Sequence, residues 1–524
     1  MRSPSILNDV LGPIMRGPSS SHTAGSFHIA TIARQLLGER PTSAVFRFDP
    51  DGSFAKVFHQ QMSDHAFAAG LMSWAITDNR FLNALDKADL AGINLQFKIQ
   101  TLPLADHPNI VAIELVAKNN TNLSLVAKST GGGAFSINRI NEWSVNITGS
   151  FHEFMVQIES YQEERLREII KRREKYIYSL KWQRQGESTF FHAQLIEPMD
   201  KKSIEEIESL EGFYKLWKTK PIFFIKRGDA IFKATEKIVA LAMKKGRTMS
   251  QMALAYESEL LGLDKETILD EILHRFDIMN SATKQGLSQK QMKMRFLKPS
   301  AGQIFSAAEQ GQLFGGGFHT KVAARALAAC HTNSTSGIVC AAPTAGAVGV
   351  LPGVMVTLLE DRGIDRKEIA SGLLAAGLVG LIVAMRSTFA AEVAGCQVEI
   401  GVAGAMAAAA VVEIAGGDAS QASAAAAIAL QNSMGSICDL VGGCVEIPCH
   451  TRNAVAASNA FICADLILGG YKNPIPLDET IDAVHTVGLM LPTELKCTAL
   501  GGLAQTPSAI YMTQGDRKYK TDKK

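Results

Sequence analysis

What most restricts the fold of this chain is a set of long, nearly uncharged stretches in its second half, built from alanine and glycine rather than leucine and phenylalanine. Between Glu368 and Arg386 lie seventeen uncharged residues, IASGLLAAGLVGLIVAM, and GIVCAAPTAGAVGVLPGVMVTLL (337–359) carries no charge either. The first run is at the lower edge of membrane-spanning length. The second is interrupted by Pro343, Pro352 and several glycines. Small side chains let helices approach closely, so both stretches read as helices buried inside a soluble protein. The whole chain, 47% hydrophobic and 20% charged, has the composition of a globular protein. At 524 residues it exceeds what one core usually supports, which predicts two or more domains. A formal charge of +2 gives no support to a nucleic acid or an anionic membrane as partner.

Residues 1–150 read as a mixed α/β domain. AGSFHIATIARQLLG (24–38) has helical apolar spacing, with Gly38 placed to end it. SAVFRFDPDGSF and INLQFKIQTLP alternate like half-buried strands, and NIVAIELVAKNN with NLSLVAKST predicts a hairpin turning at residues 119–122. STGGG closes the unit with glycines that permit close backbone approach. Residues 151–228 are charged, and YQEERLREIIKRREKYIYSL and KKSIEEIESLEGFYKLW predict a linker or insert with charged helices. Residues 229–510 predict a large all-helical, Ala/Gly-rich domain, and 511–524 a polar tail. The fold class is therefore α+β, with the mixed domain first and the helical domain second.

All eight cysteines lie from Cys330 onward, and no CxxC pair occurs among them. That argues against a zinc ribbon, a thioredoxin-type site or a secreted disulfide framework, and for thiols kept reduced in the cytoplasm. No secretory h-region is visible near residue 1. Cys438 and Cys449 stand eleven residues apart around a Gly-Gly break, and Cys396 lies forty-two residues before Cys438. Such spacing allows convergence on a metal centre, although buried free cysteine is the plainer reading of any one of them. GPIMRGPSSSHTAG (12–25) places hydroxyls and a histidine at a helix start, a suitable seat for a carboxylate; an ordinary N-cap would use only one of them.

Together, GPSSSHTAG, STGGG, AAPTAGAVGVLPG, GCQVEIG, CDLVGG, VEIPCHTRNA and LGGLAQTP resemble the iron–sulfur-dependent bacterial L-serine dehydratases. The resemblance covers roughly 1–150 and 229–510, in the family's β-type then α-type order, and leaves 151–228 unmatched. It implies a 4Fe-4S cluster on Cys396, Cys438 and Cys449, with one iron left open as a Lewis acid for the 3-hydroxyl of serine. It also implies that His22 is catalytic. Ser19, Ser20, Ser21 and Thr23 would seat the substrate carboxylate, with Arg452 and Asn453 as further substrate or cluster contacts. The implied reaction turns L-serine into pyruvate and ammonia in a cytoplasmic enzyme. Its partner is a small amino acid, not nucleic acid or membrane, and a homo-oligomer is expected, with contacts through 151–228.

The sequence departs from the family where a TGKGHxTD-like run usually follows DGSFA. DGSFAKVFHQQMSDHAFAAG puts Gln61 at the histidine position, with Ser63 and Asp64 after it, and Gln61 cannot act as a base. His59 or His65 could substitute after a small shift. Val348 replaces a cysteine found in many members and reads as packing. The tail, GDRKYKTDKK, has no cysteine, which leaves water or a thiol such as Cys444 for the resting iron. Gln61 also keeps open a β-elimination on threonine or cysteine. Rivals of another class are a membrane transporter and a non-catalytic iron–sulfur redox sensor.

Overall fold

Period-two burial through SAVFRF, NIVAIELVA and NLSLVAK lines one face of each segment with core side chains, and these segments form the first sheet. The computed structural model describes residues 3–103, 105–233, 238–288 and 292–521. Six strands lie in the order Asn94–Ile99, Pro41–Phe48, Ile110–Ala117, Asn122–Gly131, Ala134–Ile140 and Trp143–Ile147. The first pair is parallel and the others antiparallel. The hairpin turns where expected, with Asn120 at φ +64°, a region asparagine tolerates. The helix Gly25–Leu37 packs on the strands Asn122–Gly131 and Ala134–Ile140 and stops at Gly38, whose φ is +85°.

Residues 151–228, expected to be a linker or insert with charged helices, carry two such helices and, beyond that expectation, a second sheet. Its antiparallel strands run Phe213–Thr219, His152–Glu159, Ser188–Leu195, Ile177–Gln185, with helices Glu163–Lys171 and Lys201–Glu208 between them in sequence. This is the βαββαβ split arrangement. The charged run is helical only through Lys171, and from Ile177 it is a strand. Leu166, Ile169 and Ile170 turn inward while Arg165 and Arg172 pair with Glu206 at the surface. Charge density alone hid this amphipathic pattern. Trp143 stacks on Phe190 at 5.0 Å and joins the two sheets.

The third unit is helical, as its composition predicts. The helix Ile400–Ile414 packs against Arg366–Arg386, Ala419–Gln431 and Cys449–Leu468. The apolar windows within Arg366–Arg386 and Cys396–Ile414 are 78% and 83% buried by the rest of the protein, so the stretches long enough to suggest spans are core helices. The helix Pro507–Thr521 takes in most of the segment expected to be a polar tail; residues 522–524 lie outside the described residues.

The N-terminal segment does not stay with the domain its sequence position suggests. Ile6 and Val10 insert beside Gly377 and Gly380, where an added Cβ would come within 2.7 and 2.2 Å of them. Small residues in the apolar helix thus make room for the arm. The buried Glu257 carboxylate accepts from the Ser5 hydroxyl, from Ile6 N at 2.8 Å and from Leu7 N at 3.0 Å. Ile14–Arg16 then pairs antiparallel with Ile338–Cys340. Glu257→Ala leaves these donors unpaired, and we expect it to lower unfolding stability by about 2–3 kcal/mol. An unchanged urea midpoint in that variant would contradict the anchoring role.

Candidate active site at the domain seam

Cys396, Cys438 and Cys449 come from three separate breaks between helices, and each break is fixed by its own motif. Gly395 adopts φ +78° with its α-carbon facing the Ser436 carbonyl, too close for any Cβ. Gln397 donates to Ala394 O at 2.9 Å and accepts from Gly435 N at 2.9 Å, clamping the Cys396 loop to the segment before Cys438. Cys449 opens the helix Cys449–Leu468. The preceding VEIP turn is held by Glu446, which accepts from the backbone of Arg295, Phe296 and Leu297 at 2.8–2.9 Å.

A fourth thiol joins these three. Cys438 N donates to Leu495 O at 2.9 Å, and Cys497 N donates to Cys438 O at 2.9 Å. This short parallel pairing sets the Cys497 side chain beside Cys438, whose thiol shares hydrogen bonds with both Cys396 and Cys497. All four cysteines are buried. Among the described residues, no three His, Cys, Asp or Glu side chains are arranged to ligate a single metal ion.

The thiols differ electrostatically. The hydrogen bond from Cys438, helped by the Arg452 guanidinium, holds the Cys396 thiol below its ordinary range despite burial. The same hydrogen bonds and burial push Cys438 well up. Burial, then the neighbouring Cys396 and Glu399, pushes Cys449 well up. For Cys497 the Cys438 hydrogen bond pulls down, but burial and the carboxylates Glu392 and Glu399 prevail and raise it.

The SSSHT segment faces this cluster from the first domain. It forms a widened helical turn, Ser20–Ala24, closed by Ala24 N donating to Ser19 O at 3.2 Å and leading directly into the helix Gly25–Leu37. Ser19 caps it, accepting from His22 N at 3.1 Å. Ser20 accepts from Ala345 N at 3.2 Å, and Thr23 donates to Gln61 O at 2.8 Å. Ser21 donates to Glu392 at 2.5 Å. His22 is fully buried, its Nδ1 lying 3.1 Å from Ser21 Oγ and 3.4 Å from Glu392 Oε1, its Nε2 3.2 Å from Ser53 Oγ. Ser53 in turn donates to Cys497 O at 3.1 Å, which links the histidine to the thiol set. Burial lowers the His22 pKa to about 4 against the raising effect of Glu392.

Other predicted residues have more structural surroundings. Gln61 is buried and donates from Nε2 to Gly443 O at 3.2 Å, with Cys497 Sγ at 3.8 Å. His59 and His65 both bind Asp64, at 2.5 and 2.9 Å; burial would raise that carboxyl, but the two hydrogen bonds prevail and bring it down to about 2. Neither histidine takes the place of Gln61. Arg452 donates to Ile437 O at 2.8 Å, pairs with Asp439 at 3.0 Å and bonds Cys396. Asn453 spends its amide on Gly346 O, Cys449 O and Gly349 N, tying PTAGAVG to the cysteine helix. Cys444 lies against Arg295, 3.3 Å away, and lines a separate cavity. Val348 is core packing.

Sequence reasoning passed over Glu392, Glu399, Ser53 and Cys497. The signal for the glutamates was present: both lie in the Ala-rich stretch around Cys396, where an unpaired charge is costly. Burial holds the Glu399 carboxyl well above its ordinary range. Glu392 Oε2 is buried without a partner.

Residues 229–504 match the model of the family described as serine dehydratase alpha chain. The chain is 36% identical over 278 residues to a probable L-serine dehydratase alpha chain of Bacillus subtilis, covering 53% of this chain and 93% of that one. It is 44% identical over 187 residues to a probable L-serine dehydratase alpha chain of Latilactobacillus sakei, covering 36% and 90%. An L-serine dehydratase of Streptomyces coelicolor is 30% identical over 280 residues, covering 52% of this chain and 60% of its own.

Because His22 has a folded pKa near 4 against 6.5 for an unconstrained imidazole, the unfolded chain holds the extra proton between those values. Stability therefore rises with pH across that window and is lost as pH falls from 6.5 toward 4. His22→Asn should remove part of the acid-side fall in urea midpoint. A fall identical to that of the native protein would contradict the buried neutral state.

Proposed function

The chain belongs to the serine dehydratase alpha-chain family and is an L-serine dehydratase, and we propose that it works with a four-iron cluster held by Cys396, Cys438 and Cys449. The observation that carries this reading is the convergence of buried thiols from separate loops onto one place opposite His22. The donor set fits the group. Each iron of a four-iron cluster takes at most one protein thiolate, so the cluster needs sulfurs ranged around a body rather than focused on a point, and three thiolates would leave one iron free for substrate. Soft thiolates suit it, and the Arg452 guanidinium beside Cys396 offsets part of their negative charge. When bound, the cluster supplies Lewis acidity toward the substrate hydroxyl, easing the departure of a poor leaving group.

The protein's own residues supply the rest. At the start of the helical turn the Ser20 and Ser21 N–H groups, with the Ser19 and Ser20 hydroxyls, bind the substrate carboxylate, while Thr23, bonded to Gln61 O, and Ser21, bonded to Glu392, hold the turn in place. That fixes the amino acid with Cα toward His22 and its hydroxyl toward the cysteines. Burial keeps the imidazole neutral near pH 7, so Nε2 is able to accept the α-proton. Glu392, on the Nδ1 side at 3.4 Å, steadies the positive charge that then forms. Loss of the hydroxyl as water leaves 2-aminoacrylate, which tautomerises and hydrolyses to pyruvate and ammonia. Enclosure of the seam excludes bulk water from the carbanionic stage. The same exposure-sensitive thiol chemistry suits a reducing cytoplasm.

Anaerobic purification with iron and sulfide quantitation, followed by a pyruvate assay with L-serine, tests the reading. Brown protein should make pyruvate, and Cys438→Ala should lose both colour and turnover. Protein that binds no iron under argon would overturn it. Glu392→Gln should keep the cluster and lower kcat by about 10²–10⁴-fold, the usual range for a lost acid–base contribution. Unchanged kcat would remove Glu392 from the mechanism.

A further inference from the structure

L-Serine carries a third polar group besides its carboxylate and hydroxyl. Its ammonium leaves water when the seam encloses it, and a buried charge without a partner opposes binding. Nothing in the serine-rich turn carries a negative charge to meet it. Two carboxyls flank the Cys396 loop instead. Glu392 lies in the short helix Ala391–Ala394, just before Cys396, and Glu399 stands between the turn Cys396–Val398 and the helix Ile400–Ile414. The PTAGAVG loop backs the second of them. Gly346 lies so close that an added Cβ would come within 2.9 Å of Glu399 Oε2, and Asn453 holds that loop by donating to Gly346 O at 2.8 Å.

The two carboxyls share an unmet need. Glu392 is only 5% exposed; its Oε1 receives the Ser21 hydroxyl and lies 3.4 Å from His22 Nδ1, whereas its Oε2 is buried without a partner. Glu399 lies deep in the seam and yet keeps accessible surface, so it is not packed on every side. Among the described residues no lysine or arginine pairs with either carboxyl, and Arg452 is engaged with Asp439 and Cys396. Both act electrostatically on Cys497 and on each other, which sets them around one space between the thiols and His22. We propose that Glu392 Oε2 and Glu399 form the seat of the substrate ammonium and so select an α-amino acid over an acid of the same size without the amino group. The ammonium donates to both carboxyls and brings the positive charge they lack. With the carboxylate at the serine-rich turn and the hydroxyl toward the cysteines, three substituents of Cα are then held, and the fourth, the α-hydrogen, is directed at His22. Glu392 serves the imidazole through one oxygen and the substrate through the other.

The inference rests on the reaction proposed above, and its test separates the two. Anaerobic holoprotein turning over L-serine is titrated with two unreactive competitors, L-alanine and propanoate, which differ only in the ammonium. L-Alanine should inhibit the native protein at least about tenfold more strongly, the worth of one hydrogen bond to a charged group. Glu399→Gln should raise the L-alanine inhibition constant about tenfold and leave that of propanoate in place, and Glu399→Asp should recover part of the preference. Native protein that holds the two competitors equally overturns the proposal, whether or not the variants fold. So does a Glu399→Gln protein in which both constants rise together, the mark of a merely structural role, or in which neither moves. Native protein that makes no pyruvate from L-serine overturns the reaction itself.

Discussion

The site depends on a seam where two parts of the chain that are distant in sequence share backbone hydrogen bonds. Ile14–Arg16 pairs with Ile338–Cys340, immediately before SSSHT on one side and PTAGAVG on the other. Register in such a pairing is fixed to the residue, since a one-residue slip would turn each side chain to the opposite face. Asn333 reinforces it, donating to Pro18 O at 2.8 Å and Ala345 O at 3.1 Å. With the seam fixed, His22 and Glu392 meet without either lying on a mobile loop tip, and the histidine reaches the cysteines through Ser53. The arm anchored on Glu257 and Arg275 extends the same device into the helical core.

The cost of burying polar groups explains the density of hydrogen bonds here. A histidine, two glutamates, four thiols and a row of hydroxyls lie inside a body whose other lining is largely alanine and glycine. Unpaired, such groups would oppose folding. Paired with one another, they hold side chains in fixed positions, which proton transfer requires. Ser129 donating to Ser21 O at 2.7 Å and Ser63 donating to His22 O at 2.9 Å show how far this support extends behind the reacting groups.

Much of this was legible in the sequence. Strand alternation and the Gly38 stop marked the first domain, and alanine-rich stretches marked the helical one. The strands of residues 151–228 were missed because their charges sit on the outer faces of short elements and mask the inward apolar positions. The motif cysteines were findable by their glycine-rich settings; Cys497 was not, because its partner is set by a tertiary pairing that no spacing encodes. Gln61 was visible as a departure, but only the fold shows that it faces a cysteine. Arg452 and Asn453 were noticed for their position after Cys449. Their surroundings make them supports of the thiol loops, a distinction that requires coordinates.

We propose that L-serine reaches one iron of a four-iron cluster held at this seam. Mössbauer spectroscopy of the protein loaded with iron-57, recorded before and after anaerobic addition of L-serine, tests it most directly. One iron of the four should shift to parameters of higher coordination while the other three stay put. A spectrum in which no iron responds to substrate, under conditions where pyruvate forms, would contradict it.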